Sequence, residues 1–167
     1  MFDLDEDTGA SIEIKLYKNV ENVKLIRQRL IKGDLNCCIV KPSLIVDPFQ
    51  IVVAANKAFT SEKRTTKTVF TEILFNLSIS KNITNSLKTF GIDDSDNNII
   101  VVLVNERGKD NKHVCSDIQG EELELVLLKN FSDVNAIRKV YKIEDKEFFN
   151  VPLLDSVVSR IAVKDFL

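Results

Sequence analysis

Between Asp47 and Thr60 the chain reads DPFQIVVAANKAFT, a segment that opens like a well-capped helix and then turns apolar on nearly every side. Asp47 is a favourable N-cap, Pro48 suits the first helical position, and Gln50 stands three residues after the cap. Phe49, Ile51, Val52, Val53, Ala55, Ala58 and Phe59 cover most of the circumference, interrupted by Gln50, Asn56 and Lys57. A helix with so little polar face must be buried between other elements. Residues 47–60 are therefore expected to form the central core helix of whatever fold surrounds them.

The surrounding sequence supplies partners for such a helix. Alternation in SIEIKLY (11–17), the short apolar NCCIV (36–40), the continuous run IIVVLVN (99–105) and alternation in ELELVLL (122–128) predict strands. The run at 99–105 is apolar at successive positions, as a central strand covered on both faces requires. Between them, three-and-four spacing predicts helices. These are Val20, Val23, Ile26 and Leu30, stopped by Gly33; Val69, Phe70, Ile73, Leu74 and Leu77, where a strand is the alternative; Ile83, Leu87 and Phe90, stopped by Gly91; the segment after Ser132 and Asp133; and the C-terminal stripe Leu153, Leu154, Val157, Val158 and Ile161. At 167 residues this is one α/β (α+β) domain, a mixed β-sheet of about four strands packed with five to six helices. It should span residues 11–167, preceded by a flexible acidic N-terminus at 1–10.

Several function classes are disfavoured. With 23 Lys and Arg against 25 Asp and Glu, the net charge of −2 does not fit a broadly basic nucleic-acid binder. The longest unbroken apolar run, Ile99 to Val104, falls far short of the roughly 20 residues of a membrane span. The acidic start, with Asp3, Asp5, Glu6 and Asp7, is unlike a basic signal or transit peptide. Cytoplasmic and nuclear residence with no membrane association is expected. Five glycines, none in a GxGxxG or Walker-type loop, leave no phosphate cradle and no implied cofactor.

Three cysteines, Cys37, Cys38 and Cys115, and one histidine, His113, offer a thiol nucleophile with a base, or a zinc set. Vicinal cysteines within a strand point to opposite faces, which suits neither. No catalytic and no metal residues are assigned. What stands out instead is a basic cluster, Lys57, Lys63, Arg64 and Lys67, with Lys81 downstream, in an otherwise acidic chain. Such a patch contacts anions or nucleic acid when it is not merely solvated.

Three blocks taken together carry a resemblance: VDPFQIVVAANKA (46–58), TEILFNLSISKNITNSLKTFGI (71–92) and RKVYKI (138–143), in order and continued to the C-terminal RIAVKDFL. They resemble the eukaryotic PRPK-binding proteins, the small subunit that binds the atypical kinase of the KEOPS (EKC) complex. The resemblance implies a non-catalytic subunit that supports the kinase-like ATPase subunit. It also implies a part in recruiting tRNA, through its 3′ CCA end, for threonylcarbamoyl-adenosine modification. It places kinase contacts on the helix ending SLKTFGI and on the C-terminal helix: Leu87, Phe90 and Ile92 with Leu153, Val157, Val158 and Ile161. Archaeal relatives show a Ser-Gly-x-Arg-Gln-Ile pattern where this chain has Ser78-Ile79-Ser80-Lys81-Asn82-Ile83. RNA contact therefore falls to Lys57, Lys63, Arg64, Lys67 and Lys81. The alternative is a stand-alone RNA-binding module built on the basic 57–81 surface.

Overall fold

The computed structural model describes residues 1–107, 109, 111 and 113–167. Among the described residues five strands form one sheet: β1 (Phe2–Asp3), β2 (Ala10–Lys18), β3 (Cys38–Val40), β4 (Ile99–Glu106) and β5 (Glu121–Leu123). Their order is β1-β2-β4-β3, with β5 also on β2, and every ladder is antiparallel. The helices are α1 (Val23–Lys32), α2 (Pro48–Thr60), α3 (Val69–Leu77), α4 (Ile83–Phe90), α5 (Val134–Tyr141), α6 (Asp145–Asn150) and α7 (Leu153–Val163). The expected α+β single-chain architecture is thus the observed one.

The apolar run in β4 follows from a sheet covered on both faces. Ile100, Val102 and Val104 join the larger core, under α2, α3, α5 and α7. Ile99, Val101 and Leu103 join a smaller one, with Val23 and Ile26 of α1 and Val114. Strand alternation sends Cys38 into the first cluster and Cys37 into the second. The segment 69–77 is helical, fixed at its start by a reciprocal Thr68–Thr71 capping box.

Two segments differ from expectation for identifiable reasons. The alternating stretch at 122–128 stays a strand only to Leu123, paired to Leu16, and then coils into a 3-10 helix over Leu125–Asn130. The edge of β2 that it would extend along is already taken by β1, through Phe2↔Ile12 and Asp3↔Ser11. The N-terminal residues, expected as a loose lead-in, therefore close a sheet edge. Leu4 is buried behind them, and the Asp5 N–H donates to Asn56 Oδ1 on α2 at 2.8 Å. The short α6, which carries no side-chain cap, has no counterpart among the predicted helices.

Helix α2 is central as anticipated, packed between α3 and α7. Ile51, Ala54, Ala55 and Ala58 face inward, and Asp47 accepts the Phe49 N–H at 2.8 Å. Its polar residue Gln50 is not an interruption on the surface; it is fully buried. Its amide donates to Leu44 O at 3.1 Å and to Tyr141 Oη at 2.9 Å, and its Oε1 accepts the Val46 N–H at 2.8 Å. Tyr141 Oη in turn donates to Leu77 O, the last residue of α3. Phe90 packs edge-on against the Tyr141 ring at 5.8 Å.

Removing one member of such a buried network leaves partners unsatisfied, which costs more than the net worth of the bonds lost. Gln50→Leu strands the Val46 N–H and Leu44 O, and is expected to destabilise the fold by about 3 kcal/mol. Tyr141→Phe is expected to cost about 1–2 kcal/mol. Urea unfolding followed by circular dichroism measures both, and equal small losses would mean the network contributes little.

Candidate functional site

The basic loop between α2 and α3 is held from beneath by a carboxylate. Glu72, on the first turn of α3, is 3% exposed. It accepts the Thr65 N–H at 3.1 Å, the Thr66 N–H at 2.8 Å and the Thr66 hydroxyl at 2.7 Å. The Thr71 hydroxyl closes the arrangement by donating to Thr66 Oγ1 at 2.9 Å. A buried carboxylate needs such donors, and here the donors are the loop's own backbone and hydroxyls. The side chains of Lys63, Arg64 and Lys67 are left exposed, as is Lys81 in the turn before α4.

Lys57 is placed differently from the other four. Its ammonium donates to Ile161 O at 2.7 Å and pairs with Asp165 at 3.2 Å, so it ties α2 to the end of α7. A second lysine does the reciprocal work. Lys164, only 3% exposed, donates to Phe75 O near the end of α3 and lies over the Phe75 ring, 3.4 Å from its centroid. Cations at helix C-termini satisfy carbonyls that lack intrahelical partners. Burial, with Lys57 nearby, pushes the Lys164 ammonium down to about 8.

The seven residues expected at the kinase interface fall into three groups. Phe90, Val157 and Ile161 have no exposed surface; they are core, and the closed domain offers them to no partner. Leu153 and Val158 are half-buried on α7, and Leu153 packs against the larger core. Leu87 and Ile92 line a groove of about 820 Å³ between α1, β3 and the α3–α4 pair. Helix α7 packs on α2, whereas α4 packs on α3.

Exposed apolar surface near the C-terminus lies at Val163, Phe166 and Leu167 and, missed by sequence reasoning, on α6 and the turn after it. Phe149 is 76% exposed, and Val151 sits beside it at the surface. The short helix is pinned by two arginines. Arg160 grips Glu147 with both terminal nitrogens, at 2.5 and 2.6 Å, which holds that carboxyl down to about 2. Arg138 meets Asp145 and stacks over Phe148 at 4.2 Å from the ring centroid. Two adjacent phenylalanines in a strongly charged stretch were the available signal, since Phe148 packs inward and helical geometry then turns Phe149 outward.

The thiol and zinc alternatives acquire physical content. Cys37 and Cys38 are buried; burial pushes the Cys37 thiol up to about 12 and the Cys38 thiol well above its ordinary value. Both are held in the protonated, unreactive form. Among the described residues no group of His, Cys, Asp and Glu is arranged to hold a metal ion. Glu121 and Glu122 meet Lys18 at 3.4 Å and Lys15 at 3.7 Å along the exposed ladder between β5 and β2. No helix among the described residues is long and apolar enough to cross a membrane.

Residues 17–165 match the family model described as Kinase binding protein CGI-121. The chain is 36% identical over 155 residues to the EKC/KEOPS complex subunit TPRKB of Danio rerio, covering 90% of this chain and 89% of that protein. To the EKC/KEOPS complex subunit CGI121 of Candida albicans it is 31% identical over 162 residues, covering 81% and 80%. To the subunit of the same name from Debaryomyces hansenii it is 26% identical over 161 residues, covering 84% and 82%.

The Lys164 latch carries a pH signature. Its ordinary value is 10.5 and its folded value about 8, so between those limits the unfolded chain binds more protons. Stability contributed at this site is accordingly lowest below pH 8 and rises as pH climbs towards 10.5. Compared with Lys164→Met, wild type should gain on the order of 2 kcal/mol across that window. Urea denaturation of both proteins at the two pH limits tests this; a constant difference would mean that Lys164 titrates like a solvated lysine.

Proposed function

The chain belongs to the CGI-121 family of kinase-binding proteins, and we propose that it acts as a non-catalytic subunit of an EKC/KEOPS complex. In this reading it docks on the atypical kinase/ATPase subunit and supports that subunit's activity. It also helps to bring tRNA, by its 3′ CCA end, to the threonylcarbamoyl-adenosine reaction. Residence in cytoplasm and nucleus accompanies this assignment. The observation that carries the kinase half is the apolar surface of α6 and α7, with Phe149 and Val151 exposed beside the half-buried Leu153 and Val158. Apolar side chains held outside a core by a rigid support are what a partner's surface buries. The support here is the Arg160–Glu147 and Arg138–Asp145 pairs.

The test is size-exclusion chromatography with light scattering on this chain mixed with its cognate kinase. Wild type should form a stoichiometric complex. Phe149→Asp alters a side chain that is mostly in water, so the variant should fold normally by circular dichroism yet lose at least about tenfold in affinity. An undiminished complex with Phe149→Asp would move the interface off α6. Absence of any complex with wild type would remove the kinase-binding reading itself.

The RNA half rests on the Glu72-anchored loop, and one observation favours giving it weight: the loop is ordered by uncharged donors, so its cations stay available. At net charge −2 the isolated chain should bind tRNA weakly and with strong salt dependence. Lys63→Glu with Arg64→Glu should reduce the slope of log affinity against log salt by roughly one to two, read by filter binding across a salt series. Glu72→Gln, which disturbs the loop without touching a cation, should weaken binding in the same direction. Tight tRNA binding by the chain alone, together with no kinase complex, would favour the stand-alone RNA module instead.

A further inference from the structure

The sheet ends at β3, and its outer edge is largely open. On one side β3 pairs with β4, through Cys38↔Val102, Ile39↔Val101 and Val40↔Ile100. On the other, among the described residues, it is met at its C-terminal end, by the Val40–Gly91 bridge and the Lys41 N–H to Phe90 O bond at 2.9 Å. The stretch Cys37–Ile39 instead lines the groove of about 820 Å³, with the Cys37 N–H already given to Leu35 O at 3.1 Å. Open strand edges in native proteins are normally charged, short or covered, because they present free backbone donors and acceptors. This one lies at the floor of an apolar slot.

The walls of that slot match the geometry of an added strand. Successive side chains of an extended segment point to opposite faces of the sheet. On one face of β3 stands α1, whose Ile31 lines the groove and is 73% exposed. On the other stand Phe70 and Leu74 of α3 with Leu87 of α4, all half-buried and all lining the groove. Apolar side chains of either parity therefore find an apolar wall.

The rim is positive. Lys67 and Lys88 line it, together with Arg27, which is paired with Asp94 at 3.3 Å. Its acid, Asp93, is occupied by the Lys41 ammonium at 2.9 Å. The first residues of α3 lie in the same rim, where the helix dipole favours negative charge.

We propose that the groove beside β3 binds an extended peptide segment of a partner protein, with alternating apolar residues and an acidic end, which adds to the sheet as a further antiparallel or parallel strand. Backbone bonding to the Cys37 carbonyl and to Ile39 supplies affinity, the two apolar walls select the side chains, and the basic rim selects the acidic end. The site is separate from the α6–α7 surface assigned above to the kinase, and the inference stands whether or not that assignment does.

The experiment selects a phage-displayed random peptide library on the full chain, and then measures synthetic fluorescein-labelled hits by polarisation. Enriched peptides should alternate apolar residues and carry Asp or Glu at one end. Ile31→Glu and Lys88→Glu change surface positions, so both proteins should stay folded by circular dichroism and each should weaken binding at least about fivefold. N-methylating alternate backbone amides of the peptide, which removes strand hydrogen bonds and leaves every side chain, should abolish it. The proposal is overturned by a lack of enrichment over chain-free support, by basic or helically spaced hits, or by binding that ignores both variants or the N-methyl groups. Displacement of a bound peptide by CCA-ended tRNA, lost in Lys88→Glu, would assign the groove to RNA and overturn it as well.

Discussion

The fold depends on a polar contact in the first turn of an apolar helix. Gln50 is the buried polar residue of α2, and through it the helix is bonded to the 44–46 turn before it and to Tyr141 at the end of α5. Tyr141 passes the connection to the last carbonyl of α3. Hydrophobic burial would drive these helices together in more than one relative rotation, because it is non-directional. A fully satisfied buried network is directional, and it selects one arrangement. The apolar circumference of α2 thus supplies the driving force, and Gln50 supplies the register.

Two lysines extend the same logic to the C-terminal segment. Lys57 reaches from α2 to the Ile161 carbonyl, and Lys164 reaches from the end of α7 to the Phe75 carbonyl. Each places a cation at the end of a helix, where carbonyls can take a further donor and the helix dipole favours positive charge. The outcome is that α2, α3 and α7 cannot shift independently, so the basic loop at the start of α3 and the apolar surface of α6–α7 keep a fixed geometry. A partner meeting either surface meets an ordered one, which lowers the ordering cost of binding.

Much of this arrangement is legible in the sequence, and the parts that are not share a cause. Periodicity located the long strands and most of the helices, and the unbroken run Ile99–Val104 announced a strand covered on both faces. Periodicity reports which side of an element is apolar, but not how deeply that side is buried. The stripes on α4 and α7 therefore mixed core with candidate interface: Phe90, Val157 and Ile161 lie inside, while Leu87 and Val158 reach the surface. Residue type misleads in the same way at Gln50, Glu72 and Lys164, polar groups buried because specific backbone partners receive them, from the adjoining turn or loop for the first two and from a distant helix for Lys164. The β3-edge groove was out of reach for a further reason: its walls come from α1, α3 and α4, and their convergence is a property of the topology.

The distribution of charge shows why a chain of net charge −2 can still present a positive face. Its acidic turn at 93–96 is internally neutralised, since Lys41 bridges Asp93 and Asp96 at 2.9 Å each, and Arg27 meets Asp94 at 3.3 Å. At the basic loop the opposite strategy applies. Glu72 is the carboxylate that orders the loop, and its acceptor capacity is taken by two backbone N–H groups and a hydroxyl. Had a lysine filled that role, the loop would have been fixed at the expense of its charge. By ordering the loop through uncharged donors, the chain keeps Lys63, Arg64 and Lys67 in solvent with their charge directed outward, and partial burial of the anion beneath them limits how far solvent screens the anchoring bonds.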